Sequence, residues 1–161
     1  MKFGRLPLSD AEGAILAHAV EAGPLGLLKK GHLLDQNVLE AIAATGETTV
    51  LAALLEDGDV IEDDAAGAIA APMAGQQTEM TPPFTGRSNL LSKASGIARV
   101  NRKLLNKINQ IDPSLTVATV KDFEKVEAGQ MLATIKIIPF SAERRHVDEA
   151  LSLCKSDPLS L

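Results

Sequence analysis

The chain contains no tryptophan, no tyrosine and a single cysteine, and its four phenylalanines account for all of its 2% aromatic content. One cysteine, Cys154, cannot close an internal disulfide, which points to a reducing, cytoplasmic setting. Duplex binding calls for a dense Lys/Arg surface and single-strand binding for aromatic stacking platforms. With 16 Lys+Arg against 21 Asp+Glu and a net charge of −5, the chain offers neither, so no nucleic-acid partner is expected. No apolar run approaches the roughly 18–20 residues that cross a bilayer. The opening Met1–Pro7 leads directly to Asp10 and Glu12 with no continuous apolar stretch. Neither a membrane partner nor a secretory signal is expected.

What is present is ordinary globular composition: 161 residues, 45% hydrophobic and 23% charged. That length suits one domain or two small lobes, and a core large enough to need no disulfide or metal. Charge is unevenly placed. Residues 1–85 hold 4 basic and 13 acidic side chains, whereas residues 86–161 hold 12 basic and 8 acidic. A basic second half suits an anionic ligand or acidic partner, or simply a solvated surface.

Local patterns predict an α/β (α+β) protein of two small lobes, with short mixed strands and one or two helices in each. The first lobe spans residues 1–75. Gly13–Val20 reads as a strand, Leu27–Gly31 as a short strand and tight turn, and Asp35 as the N-cap of a helix to about Thr45. Val38, Leu39 and Ile42 share one side of that helix, and Gly46 stops it. Thr48–Leu51 starts a β-branched strand, and an Ala-rich helix over about Ile61–Ala71 ends at Pro72. Residues 76–85 lack an apolar period and contain Pro82-Pro83, which predicts an extended hinge.

The second lobe spans residues 86–140. Asn89–Ser92 and Ile97–Val100 read as strands, and Asn101 caps a helix whose stripe is Leu104, Leu105, Ile108 and Ile111. Leu115–Val120 and Met131–Phe140 read as strands, the latter closed by Pro139. In residues 141–161, Val147, Ala150, Leu151 and Cys154 mark one face of a short helix. The last residues, Lys155–Leu161, show no packing pattern and read as a linker towards a further C-terminal domain.

Several motifs for chemistry fail on their spacing. The acids Glu56–Asp64 resemble a calcium loop from Asp57, but its fifth and sixth places are Ile61 and Glu62 rather than an oxygen ligand and glycine. A turn followed by an acidic helix start is the better reading. Gly26–His32 lacks the Lys-Ser/Thr of a phosphate loop. His18, His32 and His146 have no metal spacing, with His18 read as a core or edge residue of its strand. Cys154 reads as a small buried hydrophobe. Thr85-Gly86-Arg87-Ser88-Asn89 is the most informative polar segment. Arg87 and Asn89 could hold an anion, since a guanidinium matches phosphate in a two-pronged fashion. In the competing reading Arg87 bonds backbone carbonyls between the lobes and Asn89 fixes the turn. Lys136 points opposite to Ile135 and Ile137 and reads as a solvated strand residue.

Four segments, taken in order, carry a family resemblance. They are Met1–Gly4 with Asp10–His18, Leu28–Gly31, Phe84–Leu90, and Val126–Phe140. Together they resemble the N-terminal region of bacterial molybdopterin-binding proteins related to molybdenum cofactor biosynthesis. The likeness covers residues 1–140. In that family the region precedes a molybdopterin-binding domain and a cytidylyltransferase-type nucleotidyltransferase domain. The pterin-binding loop and the nucleotide loop belong to those later domains, and neither motif occurs here. The resemblance therefore implies no catalytic residue in this chain, and a positional role beside the following domain or a second subunit. The cofactor it implies is molybdopterin, bound through the full-length protein, and no metal-ligating residue is expected. The residues expected to border the cofactor are Arg87 and Asn89, then Lys29 and Lys30. The rival reading is a free-standing small-ligand module of the sugar-acid type, and a third is an independent enzyme, for which no nucleophile–base pair is visible.

Overall fold

The computed structural model describes residues 1–161 and has a mixed α/β architecture in which every strand pairing is antiparallel. The chain divides into two compact units, Met1–Asp57 and Gly58–Leu161.

The first unit contains β1 (Lys2–Pro7), β2 (Ile15–Leu16), β3 (Val20–Glu21), β4 (Leu27–Leu28), α1 (Gln36–Ala43) and β5 (Thr49–Leu54). Its sheet has the order β1-β5-β2, and β3 pairs with β4. The expected strand over Gly13–Val20 is interrupted. The Ala17 amide donates to Leu51 O, and the chain then leaves the sheet so that Val20 can face Leu28. Asp35 caps α1 as its position predicts, Oδ1 accepting the Val38 amide at 2.9 Å. Val38, Leu39 and Ile42 are buried in one cluster with Leu16, Leu34 and Val50. Full burial of each such side chain contributes about 1.5–3 kcal/mol.

The second unit contains β6 (Asp59–Ile61), α2 (Glu62–Ala70), β7 (Thr78–Met80), β8 (Arg87–Ser92), β9 (Gly96–Ile97), β10 (Arg99–Val100), α3 (Arg102–Asn109), β11 (Leu115–Thr119), β12 (Lys125–Val126), β13 (Met131–Ile137), β14 (Ser141–Glu143), α4 (Arg144–Cys154) and β15 (Leu159–Ser160). A four-stranded sheet of order β11-β13-β8-β7 is its centre. Leu90, Leu115, Val117, Leu132, Ile135 and Ile137 of that sheet share one core with Ala65, Ala66 and Ile69 of α2 and Val147, Ala150 and Cys154 of α4.

Three features depart from the sequence expectation. The division falls after Asp57, not at residues 76–85. The reason is α2, whose apolar side joins the core of the second unit, so that this unit has three helices rather than one or two. The stretch expected as a hinge instead forms an edge hairpin. Thr78, Glu79 and Met80 pair with Ser92, Leu91 and Leu90. Pro82 and Pro83 cannot donate to a ladder, and side chains take over around them. Ser88 Oγ donates to Thr81 O at 3.0 Å, and Thr81 Oγ1 accepts the Asn89 amide at 3.0 Å.

The third departure is the tail. Residues 155–161, read as a linker, are part of the fold. Leu159–Ser160 pairs with Arg99–Val100, Leu159 is 4% exposed, and Leu161 packs on the core. The alternation that would have signalled a strand is too short to see in a two-residue element.

Candidate functional site

Burial along β8 alternates. Ser88, Leu90 and Ser92 face the core, which leaves Arg87, Asn89 and Leu91 on the other face. Register then brings two further residues of interest alongside. Lys136 stands directly opposite Arg87, and Thr134 opposite Asn89. Directly opposed side chains on such a pair lie about 5 Å apart at Cβ, and like charges there repel. The structure accommodates this pair by drawing the Lys136 ammonium onto the Thr85 carbonyl. The Arg87 guanidinium is exposed and makes no hydrogen bond or ion pair. The reading in which Arg87 ties backbone carbonyls between lobes is therefore not what this strand does.

Asn89 is half-buried, and its Oδ1 accepts the Thr134 hydroxyl at 2.8 Å. Its amide NH2 has no partner. Asn89 does not fix the turn as the competing reading had it: it sits within β8, three residues past Gly86, and braces the neighbouring strand instead.

The turn that presents Arg87 is built tightly. Thr85 and Gly86 both have positive φ, +50° and +71°, and Phe84 and Arg87 exchange two main-chain bonds across them, of 2.9 and 3.2 Å. This is the two-residue hairpin geometry whose twist matches the flanking strands. The first turn of α2 grips it: Asp63 Oδ1 accepts the Gly86 amide at 2.6 Å. A Cβ on Gly86 would lie 2.7 Å from Ile137 O and 2.8 Å from Glu62 Oε2. The acidic helix start read from sequence is therefore present, and two of its carboxylates hold or crowd this turn. Lys136, Glu62 and Asp63 are the residues that sequence reasoning did not connect to Arg87. The only sequence signal was the acid pair at a helix start, and nothing in it says which amide it will meet.

Lys29 and Lys30 lie elsewhere, in the first unit, on the exposed turn after β4, where Lys29 O accepts the His32 amide at 3.2 Å. The structure thus joins Arg87 with Asn89 on one strand face and places the two lysines in the other compact unit.

His18 and His32 are exposed. His146 Nδ1 lies 3.5 Å from Asp112 Oδ2, linking α4 to the turn after α3. The Ser114 hydroxyl and then the Ser114 amide hold the Asp112 carboxyl below its ordinary value. The amide bond measures 2.8 Å, while the hydroxyl lies close without full hydrogen-bond geometry. Cys154 is fully buried, and desolvation pushes its thiol up to about 11, which suits a core residue and not a nucleophile.

No family model, curated protein or solved structure matches the chain.

Proposed function

We propose that this chain is a non-catalytic part of a molybdopterin-binding protein of molybdenum cofactor biosynthesis, and that the face of β8 and β13 carrying Arg87 borders the anionic pterin. The observation that supports this reading is the register. Phe84–Leu90 and Val126–Phe140, two of the segments carrying the family resemblance, supply the adjacent strands β8 and β13, and Arg87 falls opposite Lys136 where they pair. An unpartnered guanidinium beside a free amide donor is suited to a phosphate or another oxyanion. The role is positional: the face supplies donors to a ligand held chiefly by a following domain.

Calorimetric titration with molybdopterin, or a stable pterin phosphate analogue, tests the reading in this chain and in the full-length protein. Binding by the full-length protein that weakens at least about fivefold in Arg87→Ala supports it, since an exposed charge-assisted contact is worth about 1 kcal/mol or more. Unchanged affinity removes Arg87 from the site. Saturable binding of a sugar acid with no response to the pterin favours the small-ligand module instead.

A further inference from the structure

A groove of about 590 Å³ runs between α3 and the outer edge of β11. Arg87, Asn89, Thr134 and Lys136 do not line it. From this groove we infer a second ligand site, one that takes a small phosphorylated metabolite through its phosphate.

Three lining side chains, Arg102, Asn106 and Lys121, are exposed and engage no protein group. The carboxylate lining the same groove, Asp122, is already occupied. Its Oδ1 accepts the Val100 amide at 2.9 Å and lies 3.6 Å from Arg99 Nε. Glu124, just outside the lining, spends its carboxylate on the Lys121 amide at 2.9 Å, so the groove presents two cationic side chains, Arg102 and Lys121, that have no ion-pair partner of their own. A phosphate monoester near neutral pH carries about −1.5 to −2, which matches them. A carboxylate carries only about −1.

The backbone contributes one further donor. On an antiparallel edge strand, alternate residues turn both main-chain groups away from the partner strand. Val117 does so, because its N–H and C=O both bond to the Asn109 side chain. Thr119, two residues on, has the same orientation, and its N–H opens on the groove with no partner. The Leu115 N–H is taken by the Asp112 carbonyl at 3.2 Å and Asn109 closes the edge at Val117, so Thr119 is the one outward residue of the strand whose N–H stays open. An added peptide strand would find a single ladder position there. A compact oxyanion needs only one N–H together with the Arg102 fork, the Lys121 ammonium and the Asn106 amide. The volume falls in the range of small-molecule pockets, about 300–1,000 Å³, and exceeds what a bare ion would use.

The test is an NMR titration of the isotopically labelled chain at constant ionic strength, with pyrophosphate, inorganic phosphate, acetate and an acidic peptide as separate probes. The expected result is saturable shifts at the amides of Arg102, Asn106, Thr119 and Lys121 with pyrophosphate and phosphate, and far weaker ones with acetate. Arg102→Gln and Lys121→Gln should each weaken pyrophosphate at least tenfold. Lys107→Gln, on the same helix but outside the groove, should change it less than twofold. Non-saturating shifts spread over the basic surface, equal loss in Lys107→Gln, or shifts centred on Arg87 would each overturn the inference. Saturation by the peptide with no response to phosphate overturns it in favour of a protein-docking groove. The two glutamine variants are independent, and the shift map of the unaltered chain stands even if one variant fails to fold.

Discussion

The Asn109 side chain pairs with Val117 as a neighbouring strand would, its Nδ2 donating to Val117 O at 2.9 Å and its Oδ1 accepting the Val117 amide at 2.7 Å. One residue of α3 thereby blocks the middle of an otherwise open sheet edge, the kind of edge that invites pairing with another chain. Asn109→Ala should cost about 1–2 kcal/mol, since groove water replaces the lost bonds only in part. Asn109→Asp should cost at least as much at neutral pH, because it turns a donor into a second acceptor facing a carbonyl. Urea denaturation reads both, as a lower midpoint with an unchanged slope.

Gly86 combines positive φ with crowding. Gly86→Ala must accept φ +71° and a Cβ 2.7 Å from the Ile137 carbonyl oxygen. The expected loss is at least about 2 kcal/mol, with the Arg87 turn displaced. Gly129→Ala is the matched comparison, because its φ is +83° and nothing lies within 4 Å of the added carbon. That change should cost only about 1 kcal/mol. Thermal unfolding of the pair separates the backbone penalty from the steric one.

Asp112 should make stability fall in acid. Its carboxyl is held below the ordinary value by the Ser114 hydroxyl and amide, against an opposing contribution from burial, with His146 and Arg145 adding smaller attraction. A depressed folded value means that the unfolded state binds protons first. The stabilisation is thus complete above the ordinary carboxylate range and is lost as pH falls through the folded value. Asp112→Ala should cost about 1 kcal/mol at pH 7, and the gap to the unaltered chain should narrow below about pH 4. A gap that stays constant from pH 7 to pH 3 would contradict this account.

Cys154 should be silent in the folded chain. With the thiol at about 11, the thiolate fraction at pH 8 is on the order of one in a thousand, and the sulfur is fully buried besides. Alkylation at pH 8 should proceed only as fast as the chain unfolds and become rapid in denaturant. Rapid labelling under native conditions would mean that α4 detaches from the core without global unfolding.

The helices were legible in the sequence because their information is local. Asp35 and Asn101 accept amides three residues on, as cap chemistry dictates. The stripes Val38–Leu39–Ile42 and Leu104–Leu105–Ile108 are buried as their spacing requires. Cys154 was legible as a core residue for a similar local reason, its place on the apolar face of α4. Pairing was not legible. Nothing within Thr78–Met80 or Leu159–Ser160 marks them as strands, since two or three residues carry no period and owe their conformation to β8 and β10 beside them. The same holds for the candidate site. Lys136 meets Arg87, and Asp63 meets Gly86, across separations in sequence that only register and helix packing close. Composition, caps and apolar period by themselves determined the fold class and the helical cores of this protein. The division of the chain, the docked tail and the company Arg87 keeps were decided in three dimensions, because each depends on core packing, strand pairing or side-chain bonds between segments that carry no mark of one another.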